Sequence, residues 1–160
     1  MVELMTHSLE ETQSLAASLA DLAEPGILIR LEGSLGTGKT AFTQGFGRAL
    51  GVTRAIKSPT FNIVKTYISN KGPLVHIDAY RLEMGGSEEI DWEYYLTDQS
   101  LVLVEWAQFM EDFLPKDYLL IEFTRQSDPE RLIRVTLPQA QSRYQDLVTT
   151  WLNQWQKGRL

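Results

Sequence analysis

Eight consecutive residues, Gly33-Ser34-Leu35-Gly36-Thr37-Gly38-Lys39-Thr40, constrain this chain more than any other segment. They satisfy G-x-x-x-x-G-K-[ST], a pattern with a mechanism only where a strand runs into it and a helix leaves it. Both flanks meet that condition. Residues 27–31 form a short apolar strand after the breakers Pro25 and Gly26, and 39–50 read as a helix closed at Gly51. The glycines let the main chain curl so that successive N–H groups converge on an anion, and the helix points its positive dipole end at the same spot. In this reading Lys39 neutralises the β and γ phosphates of a nucleoside triphosphate, ATP foremost, while the Thr40 hydroxyl is a hard oxygen ligand for Mg2+. The competing reading is a chance glycine-rich turn between strand and helix.

The remaining chain extends the alternation of strand and helix. Residues 8–22 carry Leu9, Leu15, Ala16, Leu19 and Leu22 at helical spacing behind a Ser8-x-x-Glu11 capping box. Strands are expected at 61–68, 74–80, 101–106, 118–123 and 131–137, each short and rich in branched or aromatic residues. Asn70-Lys71-Gly72 joins the first two as a hairpin, which makes part of the sheet antiparallel. A last helix over 139–156, with Leu147, Val148, Trp151, Leu152 and Trp155 on one face, packs back on the sheet. The expected fold is α/β, a P-loop NTPase-like three-layer arrangement of a mixed central sheet and flanking helices. The whole of 1–160 is expected to form a single domain, since 160 residues suit one core.

A triphosphate site needs a carboxylate near its metal, commonly at the end of a neighbouring apolar strand. Leu101-Val102-Leu103-Val104-Glu105 fits, so Glu105 is the candidate metal ligand or water-orienting base; a strand-end Glu facing solvent is the alternative. In His76-Ile77-Asp78-Ala79-Tyr80-Arg81-Leu82, alternation places His76, Asp78 and Tyr80 on one face. Asp78 is then a second acid for the metal or its water, or else the partner of Arg81 on a half-exposed strand. Ser58-Pro59-Thr60-Phe61 reads either as a γ-phosphate sensor, with Thr60 its responsive residue, or as an ordinary turn.

Composition excludes several other chemistries. Cysteine is absent, which removes disulfides, thiolate metal sites and cysteine nucleophiles. A net charge of −6 opposes a chain-wide grip on nucleic-acid backbones, and Arg48, Arg54, Lys57 and Lys65 read as solvated surface. No apolar run approaches the ~20 residues of a membrane helix, and residues 1–10 lack a secretory pattern, so a cytoplasmic location with no membrane contact is expected.

Taken together, 33–40, Ser58-Pro59-Thr60-Phe61, His76-Ile77-Asp78-Ala79-Tyr80-Arg81-Leu82 and Val104-Glu105-Trp106 resemble the TsaE family, also called YjeE, over most of the chain. The resemblance implies a small ATPase supporting formation of threonylcarbamoyladenosine at position 37 of tRNA, associated with the TsaD and TsaB subunits that carry the transfer chemistry. Contact with tRNA would be indirect at most. By matching motif, Lys39 and Thr40 would hold phosphate and magnesium, Thr60 would be the switch-like residue, and Asp78 and Glu105 the acids near the metal. Trp106 would lie near nucleotide or partner, its alternative being a buried core aromatic, and Arg131 would be a nucleotide-proximal arginine or plain surface. Ser34 departs from the family's usual acidic residue and Thr37 from its usual alanine. Two other classes compete. A small P-loop kinase would use Arg125, Arg131 and Arg134 as a lid, although Gln126-Ser127-Asp128-Pro129 reads as a short turn between strands. A guanine-nucleotide switch lacks its Asn-Lys-x-Asp signature, because Asn70-Lys71 is followed by Gly72-Pro73.

Overall fold

In the computed structural model, which describes residues 1–34 and 36–158, seven strands form one sheet in the order β1-β7-β6-β2-β5-β4-β3. The strands are β1 (Val2–Thr6), β2 (Leu28–Glu32), β3 (Val64–Ser69), β4 (Gly72–Asp78), β5 (Leu101–Glu105), β6 (Leu119–Arg125) and β7 (Arg131–Thr136). The central four, β6, β2, β5 and β4, run parallel; β3, β7 and β1 join antiparallel at the edges. The sheet is therefore mixed, as expected. The hairpin is also as read, since Ser69 faces Gly72 across the two-residue loop Asn70-Lys71.

One face of the sheet is covered by α1 (Leu9–Leu22), α2 (Lys39–Ala49) and α4 (Gln145–Lys157). Ile29, Leu31, Leu74, Leu101 and Leu103 meet Leu15, Leu19, Phe42, Phe46 and Trp151 there, all fully buried. Ser8 caps α1 by accepting from the Glu11 N–H, while the Glu11 carboxylate accepts from the His7 N–H. Leu9 is 57% exposed and lies outside the apolar face assigned to it. Gly45 lets α1 and α2 approach closely: a Cβ there would fall against the backbone of Gln13. That contact fixes the axis of α2, and with it the direction in which its first residues point.

The opposite face holds Leu28, Val75, Ile77, Val102 and Val104. Its cover is the four-residue helix α3 (Trp92–Tyr95) and 3₁₀ segments, including Tyr80–Met84 and Ala107–Phe113. Arg30 is buried on this side of the central strand, forked onto both Glu111 oxygens at 2.8 and 2.9 Å and lying 4.4 Å from the Tyr118 ring centre. Burial works against the Arg30 charge, but its hydrogen bonds and ion pair with Glu111, aided by Tyr118 and Glu32, outweigh it and raise the guanidinium pKa. The 107–113 segment is thereby tied to the sheet.

Several boundaries differ from the sequence reading. Strand β3 begins at Val64 rather than at 61, because Asn62 and Ile63 both donate to the Pro59 carbonyl and close a turn. Strand β4 ends at Asp78, so Tyr80 sits in a 3₁₀ turn instead of on the strand face with His76 and Asp78. Helix α4 starts at Gln145, not at 139. Among the described residues no helix is long and apolar enough to cross a membrane.

Candidate functional site

Because β2, β4 and β5 are parallel and adjacent, their carboxyl ends share one edge of the sheet, where ligands of open α/β sheets bind. The glycine-rich loop leaves β2 at this edge. Gly33, Gly36 and Gly38 take φ of 150°, 78° and 112°, values that side-chain-bearing residues rarely adopt, and Gly38 is the N-cap of α2. Thr37 is buried and its hydroxyl donates to the Ser34 carbonyl at 2.7 Å, bracing the curl from inside. Arg131 braces it from outside, donating to the carbonyls of Thr37 (3.0 Å) and Gly36 (3.4 Å), and Arg125 donates to Gly36 at 3.3 Å. These contacts engage the Gly36 and Thr37 carbonyls. Leu35, also expected in the loop, lies outside the described residues.

Lys39, the first residue of α2, is only 7% exposed. Its ammonium donates to the Gly33 carbonyl at 2.7 Å, lies 3.8 Å from a Glu105 oxygen and sits 4.8 Å from the Trp106 ring centre. An ammonium has three hydrogens, so these neighbours leave capacity for an anion. Beside it opens a cleft of about 280 Å³ lined by Leu31, Glu32, Gly33, Ser34, Lys39, Trp106 and Gln108. Trp106 reaches this cleft because its backbone turns left-handed directly after β5, with φ 58° and ψ 41°. Phe109 stacks on its ring and Tyr80 meets it edge-on at 5.0 Å, which holds that strained backbone in place.

Glu105 ends β5 at 4% exposure, so the solvent-facing alternative fails. It lies opposite Asp78 in the β4–β5 register. Asp78 is equally buried, and its carboxylate accepts from the Ser58 hydroxyl (3.2 Å), the Thr60 hydroxyl (3.1 Å) and the Tyr80 N–H (3.0 Å). It does not pair with Arg81, which instead donates to the Phe61 carbonyl. The 58–62 turn is folded back over Asp78 by Ile63, a β-branched residue held at φ 65°. Thr60, Asp78, Glu105 and Lys39 thus form one continuous row from turn to loop.

The donor set fits magnesium. Thr40, in the first turn of α2, has a half-buried hydroxyl without a hydrogen-bond partner among the described residues, whereas Thr43 spends its own on the Lys39 carbonyl. Together with Glu105 and Asp78 it offers only hard oxygen atoms. No group of three or more His, Asp or Glu among the described residues is arranged to hold a metal by itself. A cation here would complete its shell with phosphate oxygens and water, as magnesium does.

Sequence reasoning left one participant without a role. His76 is fully buried and its Nε2 lies 2.7 Å from Glu105 Oε2. The signal available was its position two residues before Asp78 on the same face. Of the arginines weighed as a lid, Arg134 pairs with Glu3 at 2.9 Å on the far edge of the sheet, and Arg125 and Arg131 flank a β6–β7 hairpin. Arg48, Arg54 and Lys57 are exposed and Lys65 half-buried, Arg54 resting on the Tyr67 ring.

Comparison with known proteins gives concordant matches. The family model for threonylcarbamoyl adenosine biosynthesis protein TsaE matches residues 6–133. A Bacillus subtilis protein named tRNA threonylcarbamoyladenosine biosynthesis protein TsaE is 46% identical over 127 residues, 79% of this chain and 80% of that protein. A Nostoc protein of the same name is 34% identical over 140 residues, 85% of this chain and 86% of its own. The crystal structure of Bacillus subtilis YdiB superposes with a TM-score of 0.81 at 37% identity, covering 96% of this chain and 95% of that one.

Proposed function

Because the chain belongs to the TsaE family, we propose that it binds ATP with magnesium in the 33–40 loop, hydrolyses it, and so supports threonylcarbamoylation of adenosine 37 in tRNA beside TsaD and TsaB. One observation carries the reading: a buried lysine at the head of a glycine-capped helix has its ammonium between a loop carbonyl and a strand-end carboxylate at the mouth of a cleft. Main-chain N–H groups of 36–38 donate to phosphate oxygens, and Lys39 moves its hydrogen bond from the Gly33 carbonyl to the β and γ phosphates. Thr40 and Glu105 would hold magnesium, which would supply charge neutralisation at the phosphates. Glu105 and Asp78 orient the attacking water, and Trp106 screens it from bulk solvent. Arg131 keeps the loop curled by holding its outer carbonyls.

Asp78 already receives two hydroxyls and an N–H, so it is free to act only when Thr60 turns toward the γ-phosphate. Positioning Thr60 is the natural task of a bound partner, and turnover of the isolated chain falls well below the ~10 per second of a typical enzyme. The −6 charge favours contact with proteins over tRNA itself, in the cytoplasm where tRNA is modified.

The test is reconstitution with purified TsaD and TsaB, with and without ATP and magnesium. ATP-dependent complex formation and stimulated hydrolysis are expected, both lost in K39A. Hydrolysis that responds instead to a small-molecule phosphate acceptor would favour a phosphotransferase.

A further inference from the structure

We propose that His76 is a positioning residue for hydrolysis, holding one oxygen of Glu105 so that the other faces Lys39 and the phosphate loop. The inference rests on the ATPase reading above and adds a residue to it. The two side chains come from adjacent parallel strands: Asp78 is the register partner of Glu105, and His76 lies two residues earlier on the same face of β4. His76 Nε2 reaches Glu105 Oε2 at 2.7 Å, while Oε1 lies 3.8 Å from Lys39 Nζ. Each carboxylate oxygen therefore has a distinct neighbour.

The environment of the imidazole specifies how it acts. His76 is 0% exposed, and its Nδ1 is buried with no hydrogen-bond partner among the described residues. A hydrogen on Nδ1 would be an orphaned buried donor, the costlier kind of unpaired group. The hydrogen accordingly sits on Nε2, where Glu105 receives it. Such an imidazole is a fixed donor that pins a carboxylate, which a strand-end glutamate with several rotamers otherwise lacks. An apolar residue would fill the same core position, next to Leu103 and below Leu74, without the unpaired nitrogen; the imidazole is explained by the carboxylate it holds.

The experiment compares wild type, H76L, H76Q, E105Q and H76L/E105Q. Leucine removes the donor at similar bulk, and glutamine returns an N–H at comparable reach. ATP affinity is read by calorimetry with magnesium, and hydrolysis by single turnover with protein in excess. Expected are ATP affinity within about threefold of wild type in H76L, single-turnover hydrolysis reduced at least tenfold, and partial recovery in H76Q. The double variant should be no slower than E105Q alone, because His76 acts only through Glu105. Imidazole 15N NMR supplies a readout independent of turnover. The chain has two histidines, so H76Q assigns the spectrum; an Nε2-protonated, Nδ1-bare ring whose Nε2 signal moves in E105Q is expected. Should H76L fail to fold, H76Q and the NMR measurement still decide. Hydrolysis within twofold of wild type in H76L, multiplicative losses in the double variant, or a hydrogen on Nδ1 would overturn the inference. Failure of wild type to bind ATP would overturn the parent reading instead.

Discussion

Replacing Gly45 by alanine tests whether the α1–α2 contact sets the aim of the phosphate loop. Two effects oppose one another. Alanine in a helix interior gains roughly 1 kcal/mol over glycine from propensity alone. Against it, the added Cβ would fall within contact distance of the carbonyl oxygen, Cα and carbonyl carbon of Gln13, atoms of a helix backbone that cannot rotate away. Overpacking costs about 1–3 kcal/mol, and a rigid obstacle places this site at the upper end. Net destabilisation of about 2 kcal/mol follows, which for a chain of this size lowers Tm by roughly 4–8 °C. Gly158 is the control, since it has helical φ of −65° and among the described residues an added Cβ would come no closer than 3.5 Å to any non-adjacent neighbour, so G158A should melt within a degree or so of wild type. The assay is differential scanning calorimetry, with ATP affinity measured on the same samples. Affinity should fall in G45A, because displacing α2 tilts the N–H groups and Lys39 away from the cleft. G45A melting at or above wild type would refute the reasoning.

Two further outcomes follow from the site and one from the turn between β6 and β7. E105Q should retain ATP binding while losing hydrolysis by about 10²-fold or more, the range expected when a positioned acid–base group is removed, as single-turnover assays will show. D78N replaces an acceptor of three hydrogen bonds by an amide, sets its NH2 against a donor, and should destabilise the fold by about 1–3 kcal/mol in urea unfolding. The Glu130 carboxyl is held below its ordinary value of 4.5 by hydrogen bonds from His7 and then Ser127. A depressed carboxylate adds stability that is present above pH 4.5 and is lost as pH falls through the lowered value. The Tm difference between wild type and E130Q should therefore shrink on acidification from pH 7 to pH 3.

What the sequence disclosed was local, and what it hid depended on neighbours. The 33–40 loop declared itself because strand, glycines, lysine and helix are contiguous, so no tertiary information was needed. Glu105 stood out at the end of an apolar run for the same reason. Strand β1 passed unnoticed, since Val2–Thr6 is a short edge strand whose identity comes from pairing with β7, more than 120 residues away. Tyr80 was misplaced because alternation was extended past Asp78, where the Tyr80 N–H turns back to the Asp78 carboxylate instead. Ile90, Trp92, Tyr95 and Leu96 carried no clear period, yet they cover the second face through 3₁₀ turns and one short helix. The His76–Glu105 contact required knowing that β4 lies beside β5, in parallel and in which register, which no pattern within either strand records.

The central claim is that the turn between β2 and α2 receives a triphosphate through its N–H groups and Lys39. Isothermal titration of wild type and K39A with ATP and magnesium tests it most directly. The account predicts saturable one-to-one binding in wild type and an affinity lower by roughly ten- to hundredfold in K39A, the loss of about 1.5–3 kcal/mol for a hydrogen bond to a charged group. Equal affinity in the two proteins, or no heat from wild type, would contradict it.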